Sequence, residues 1–166
     1  MPQKKVKRVL ALGAHPDDVE LGCGGTLSHF SKEDAAIHIR VISGGGDNSR
    51  QRIKEAQNAA KCLGASTMDV FSIPDKMFPE YRSNIMEHLE EIQKTIKPQI
   101  VFVPYSEDTH QDHATLGTAA TRVFRRNETI LEYEILRHGS YTFMPTLFVD
   151  IAPFIESKVN SLMCHK

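Results

Sequence analysis

The sequence predicts an α/β fold, a three-layer, Rossmann-like sandwich with a mainly parallel central sheet. Three observations carry that expectation. Apolar runs of strand length alternate with segments of helical spacing along almost the whole chain. Several of the strand-like runs are continuously apolar, as strands covered on both faces are. The polar clusters come directly after those runs, where the strands of an open α/β sheet end and ligands bind.

Taken in order, Val6 to Gly13 reads as a buried strand ended by Gly and a polar cluster. Gly25 to Lys32 has helical character, and Ile37 to Ile42 reads as a strand that runs into Gly44-Gly45-Gly46. Arg50 to Leu63 places Ile53, Ala56, Ala60 and Leu63 at helical spacing, with Gly64 as a natural C-terminal stop. Met68 to Ile73 is a short strand closed by Pro74. Ser83 to Ile96 puts Ile85, Leu89, Ile92 and Ile96 on one face before Pro98. Ile100 to Val103 is a continuous apolar strand, and His113 to Arg125 is helical again. Tyr141 to Ile151 is mostly strand-like, and Phe154 to His165 reads as a last helix. There is no internal repeat, low-complexity tract or linker, so residues 1–166 are expected to form one domain.

Bulk properties narrow the function. A formal net charge of −1 argues against a nucleic-acid binder, which relies on basic excess to neutralise phosphates. The basic run Lys4, Lys5, Lys7 and Arg8 leads straight into a strand and reads as its solvated entrance. No apolar segment approaches the roughly 18 residues of a membrane span, and no signal peptide is visible. Cys23, Cys62 and Cys164 lack CxxC spacing and read as free, buried thiols of a reducing compartment. The expected location is therefore the cytoplasm.

Two clusters carry chemistry. His15-Pro16-Asp17-Asp18 follows the first strand, and His110-Gln111-Asp112-His113 follows the fourth. In the expected topology they face one another across one crevice. Imidazole and carboxylate suit zinc and related divalent ions, and a catalytic zinc typically keeps three protein ligands and one open position. His15, Asp18 and His113 are the expected ligands, with iron(II) or cobalt as other metals the set would accept. Asp17 is placed to take a proton from an attacking water. His110, on the other side of the carbonyl, would support an oxyanion and protonate a leaving amine, and Asp112 would hydrogen-bond a histidine and fix its tautomer. This chemistry is that of an amide hydrolase.

The stretch Ala14-His15-Pro16-Asp17-Asp18-Val19-Glu20, with Gly22 and Gly24-Gly25-Thr26, resembles the opening motif of the PIG-L/LmbE-like family of zinc-dependent N-deacetylases. His110-Gln111-Asp112-His113 resembles its second motif, Arg52 to Glu55 with Ala59 and Leu63-Gly64 its intermediate helix, and Pro74-Asp75 a short signature after the third strand. The resemblance covers essentially the whole chain. It implies removal of an acetyl group from an N-acetylglucosamine-type sugar or its conjugate, a small-molecule partner, and the site roles given above. It also implies that Arg52 lies at the substrate pocket, where it can meet hydroxyls, phosphate or carboxylate. Asp75 is expected either to meet a sugar hydroxyl or to serve the turn after Pro74. Family members usually run some dozens of residues further, so a C-terminal extension is expected to be absent here. Assembly is left open, a homo-oligomer included.

Other readings stand beside this one. A non-catalytic metal- or sugar-binding protein, or a hydrolase of a non-sugar amide, would use the same clusters. A nucleotide-binding domain would need a phosphate loop, but Gly44-Gly45-Gly46-Asp47 lacks the following Lys-Ser/Thr and reads as a pocket rim. Gly22-Cys23-Gly24-Gly25 reads as tight packing at a helix start. His29, His38, His88, His138 and His165 are assigned no role.

Overall fold

A computed structural model describes residues 5–46, 49–126, 128–136 and 142–166. Five parallel strands form one sheet in the order β3-β2-β1-β4-β5. They are β1 (Arg8–Gly13), β2 (Ala36–Val41), β3 (Thr67–Val70), β4 (Ile100–Pro104) and β5 (Thr129–Tyr133). The helices are α1 (Asp18–Gly22), α2 (Gly24–Lys32), α3 (Ser49–Cys62), α4 (Arg82–Ile96), α5 (Gln111–Val123) and α6 (Ile155–Leu162), the last entered through a 3₁₀ turn at Ala152–Phe154.

The central strand explains the layering. Along β1, Leu10 and Leu12 point into a core with α4 and α5, while Val9 and Ala11 point into one with α1, α2 and α3. All four are fully buried, which is why the run shows no polar alternation. On α4, Ile85, Leu89, Ile92 and Ile96 form the buried stripe that the helical spacing predicts. The helix ends at Lys97, which takes a left-handed conformation (φ 51°) just before Pro98. The expected sandwich is present, with every strand pairing parallel.

Three local readings need correction. The segment Tyr141 to Ile151 is not a strand: residues 142–151 pair with nothing in the sheet, and Tyr141 lies outside the described residues. The edge beside β4 is instead taken by β5, which the sequence reading passed over. That strand is only partly buried except at Tyr133, so its apolar signal is weak. The helical segment placed at Gly25 begins earlier, as α1 and α2 separated by a break at Cys23. The thiols also differ from expectation: Cys23 is buried, but Cys62 is exposed and Cys164 only half-buried, all three being free.

Two close approaches fix the helices on the sheet. A Cβ at Gly22 would lie 2.0 Å from the ring of Tyr133, whose hydroxyl donates to the Leu12 carbonyl at 2.7 Å. In the middle of α5, a Cβ at Gly117 would lie 2.4 Å from the Pro104 carbonyl oxygen and 3.0 Å from Ser106 Cα. Glycine to alanine inside a helix normally gains about 1 kcal/mol. Here the obstacle is backbone, and overpacking of this kind costs about 1–3 kcal/mol. Gly117→Ala is therefore expected to lower stability in urea unfolding, and a measured gain would mean that the loop after β4 yields freely.

Candidate metal centre and hydrolytic cleft

Strand order places β1 between β2 and β4, so chain direction across the sheet reverses beside β1. This is the switch point, where loops at the carboxyl ends of neighbouring strands part and leave a crevice. The loop after β1 carries His15 to Asp18, and the loop after β4 leads to His110 and His113 at the start of α5.

Asp18 organises the first loop. Its Oδ2 accepts the His15 backbone N–H at 2.8 Å and lies 3.7 Å from His15 Nδ1 and 3.4 Å from His113 Nε2. His15, Asp18 and His113 are all buried, and each offers a ligand atom within 4.8 Å of the others. His15, His110 and Asp112 form a second group that meets the same distance limit. The backbone of Asp17 is left-handed (φ 107°), an unusual conformation for a residue with a Cβ.

Each histidine has its own carboxylates. His15 Nε2 lies 2.9 Å from Asp75 Oδ1 and 3.2 Å from Asp112 Oδ2. Asp112 is fixed in turn by the backbone N–H groups of Lys76 (2.7 Å) and Phe78 (3.3 Å), so the loop after β3 is tied to α5. The histidine that Asp112 orients is thus His15. His113 is oriented by Asp108, whose Oδ2 lies 3.1 Å from His113 Nδ1 and whose Oδ1 accepts the His110 N–H at 2.7 Å. A carboxylate accepts only, so Nδ1 of His113 carries a proton toward Asp108, while its Nε2 faces Asp18. Asp108 was missed in the sequence. It stands outside the His-x-Asp-His cluster, and its signal was its position two residues before a helix cap.

His110 caps α5, its Nδ1 accepting the Asp112 backbone N–H at 3.2 Å. In the neutral ring the proton therefore sits on Nε2. The His110 ring centroid is 4.5 Å from that of His113 and 5.0 Å from that of His15.

Charge in the cluster is uneven. Asp18, Asp75, Asp108 and Asp112 each lie within ion-pair distance of His15 or His113. Burial favours the neutral ring of His15, but the Asp112 hydrogen bond and the Asp18 charge outweigh it and raise the pKa. The same contest, decided by Asp18 and Asp108, raises that of His113. Burial pushes the Asp18 carboxyl up, yet His113 and His15 hold it below the ordinary carboxylate range. Burial, reinforced by the Asp18 charge, raises Asp17 to about 6 in spite of Arg52. A cluster with surplus carboxylate, which retains protons on its imidazoles, is one that a divalent cation fits.

Arg52 reaches over from α3. Its Nη2 donates to the Pro16 carbonyl (3.1 Å) and its Nη1 to the Gly45 carbonyl (3.4 Å), and Nη2 lies 3.7 Å from Asp17 Oδ1. The glycine loop is thus part of the rim: Gly45 (φ 80°) and Gly46 (φ 76°) turn it, and the Gly45 N–H donates to Ser43 Oγ. Asp47 lies outside the described residues. A cleft of about 190 Å³ exposes Asp17, Arg52, Asp75 and His110 alongside the three clustered groups. It is smaller than the roughly 300 Å³ lower bound of drug-sized pockets.

The model of the PIG-L family, described as GlcNAc-PI de-N-acetylase, matches residues 10–124. The chain belongs to this family. It is 31% identical over 171 residues to the uncharacterized deacetylase YaiS of Escherichia coli, covering 98% of this chain and 92% of that one. The N,N'-diacetylchitobiose deacetylase of Pyrococcus horikoshii, solved with an inhibitor, superposes with a TM-score of 0.80 at 24% identity, covering 99% of this chain and 71% of that one. The 4-carboxy-2-hydroxymuconate hydratase GalB of Pseudomonas putida superposes with a TM-score of 0.78 at 18% identity, over 96% of this chain and 78% of that one. The fold therefore hosts more than one chemistry. Family membership, with YaiS, supports deacetylation for this PIG-L member.

One further charged pair involves the helix that Asp18 begins. Glu20, two residues beyond Asp18 and buried, has His165 Nε2 3.6 Å from its Oε1. The sequence reading gave His165 no role. The Glu20 carboxylate outweighs burial and raises the His165 pKa. With a raised folded pKa, the stabilisation is full below the ordinary value of 6.5 and is lost as pH rises through the shifted one. His165→Gln is expected to be less stable than the parent at mildly acidic pH and to converge with it at alkaline pH. Parallel urea titrations across that range check this, and a gap that widens with pH would refute it.

Proposed function

We propose that this chain is a metal-dependent N-deacetylase that removes the acetyl group from an N-acetylglucosamine-type amino sugar or a conjugate of one. The observation that carries the proposal is the convergence of His15, Asp18 and His113 at the switch point of the sheet, with surplus carboxylate around them. His15 through Nδ1, Asp18 through Oδ2 and His113 through Nε2 are the donors that would hold zinc or a similar ion. A bound ion of that class polarises an amide carbonyl and lowers the pKa of a water to about 7.

The remaining roles belong to the chain itself. Asp17 borders the cleft with 40% of its side chain exposed, beside buried Asp18. With its pKa near 6, it is largely ionised at neutral pH and can still release a proton, as a general base that later returns one must. Arg52 holds the Pro16 carbonyl and thereby the loop that aims Asp17. His110 offers Nε2–H as a donor to the developing oxyanion and then to the departing amine. Arg52 and Asp75, which both line the cleft, are the groups offered to sugar hydroxyls. A small amino-sugar partner agrees with the small cleft. Among the described residues no helix is long and apolar enough to cross a membrane.

Metal analysis of purified protein, paired with acetate release from N-acetylglucosamine, diacetylchitobiose and related conjugates, tests the reading. About one divalent ion per chain is expected, lost together with acetate release in His113→Ala. Metal retained in that variant would remove His113 from the ligand set. Metal bound without acetate release from any N-acetyl sugar would favour a non-sugar amide or a binding role. Asp17→Asn is expected to keep the metal and lose about 10²- to 10⁴-fold in turnover. Near-parent turnover would remove Asp17 as base.

A further inference from the structure

Two thiols 102 positions apart meet at the molecular surface. Cys62 is the last residue of α3, Cys164 follows α6, and their Sγ atoms are 4.0 Å apart. Both are free, one exposed and one half-buried, whereas the third cysteine, Cys23, is sealed in the core. A disulfide requires a sulfur separation of about 2 Å. The closure needed is about 2 Å, between two helices, α3 and α6, that already pack directly on each other. Closure gives up only a 3.4 Å contact from Cys164 Sγ to the Asn160 carbonyl.

The helix so held matters to the fold. α6 packs on α1, α2 and α3 and adds no strand or ligand of its own. Its Lys158 Nζ donates to the Leu21 carbonyl at 2.7 Å, and His165 beyond its end covers Glu20, both in the helix that starts at Asp18. Noncovalent contacts alone keep the last segment of the chain against the back of the first cluster.

We propose that Cys62 and Cys164 form a redox modification site, at which thiol–disulfide exchange with a small disulfide such as glutathione disulfide closes a bond clamping α6 to α3. The exposed Cys62 attacks first as the thiolate, forming a mixed disulfide and releasing one glutathione thiolate. Cys164, as its thiolate, then attacks the Cys62 sulfur, forming the internal bond and releasing the second glutathione. Two protein thiols are oxidised, one glutathione disulfide is reduced to two thiols, and the two protons pass to the released thiolates. The bond closes a loop of about 100 residues, the length at which the entropic gain of a crosslink is large.

The test treats the full chain with excess glutathione disulfide, then alkylates under denaturing conditions and measures intact mass, peptide crosslinks and melting temperature. Expected are one alkyl group per chain, on Cys23, where the untreated chain takes three, a Cys62–Cys164 crosslinked peptide, and a melting midpoint higher by about 5 °C or more. Dithiothreitol should reverse all three. Cys62→Ser and Cys164→Ser, each tested singly, should show no internal bond and no rise in midpoint. Two separate glutathione adducts, a disulfide between two copies, or alkylation of all three thiols after treatment would each overturn the site. A crosslink without a higher midpoint would overturn the clamp.

Discussion

The structure turns on one buried carboxylate. Asp18 begins the helix that follows the central strand, accepts the His15 N–H, and stands between the rings of His15 and His113. An isolated carboxylate in that position would be costly, since burial strips its water. Both imidazoles and one backbone donor compensate it, and that requires the first and fourth strands to be neighbours. The order β3-β2-β1-β4-β5 meets the requirement. Fold and site are thus mutually dependent: the switch in strand order brings the loops together, and the charge pairs hold them there.

A second ring of contacts makes the arrangement rigid. Asp112 binds His15 with one oxygen while the N–H groups of Lys76 and Phe78 converge on its carboxylate. Asp108 holds the ring of His113 and the backbone of His110 with separate oxygens. Arg52 bridges the Pro16 and Gly45 carbonyls. Four loop regions, after β1, β2, β3 and β4, are thereby crosslinked through side chains of fixed geometry. Positioning of this kind is what a metal site or a hydrolytic site needs, because small displacements of its donors weaken both.

Much of this was legible in the sequence because it is local. Continuous apolar runs report burial on both faces, so β1 and β4 stood out; β2 showed as an alternating strand, and the stripe of α4 was visible from Ile85 to Ile96. The two His-Asp clusters announced themselves by composition. What escaped depends on distant partners. β5 is an edge strand with one buried residue, Tyr133, and its pairing with β4 is a property of the sheet. The apolar residues of 142–151 suggested a strand, but they pair with neither edge of the sheet; Met144 and Phe148 are each 80% exposed. Asp108 and His165 looked ordinary because their partners, His113 and Glu20, are identified only in three dimensions.

Asp17 and Asp18 show how far apart two adjacent, chemically identical side chains can be driven. Their pKa values move in opposite directions although both lose water on folding. Backbone geometry separates them. The left-handed turn at Asp17 directs its carboxylate to the cleft and to Arg52, while Asp18, entering the helix, faces the two imidazoles. Such a conformation costs about 1–2 kcal/mol for a residue with a side chain. One fully buried leucine in the adjoining core returns about 1.5–3 kcal/mol, so the strain is readily borne. The result is one carboxylate kept anionic by two imidazoles and, beside it, one whose pKa is pushed up to about 6. Only the second can exchange a proton near physiological pH, and it is the one at the mouth of the cleft. Two adjacent aspartates can face such different partners because the chain takes a left-handed conformation at Asp17 before it enters the helix at Asp18.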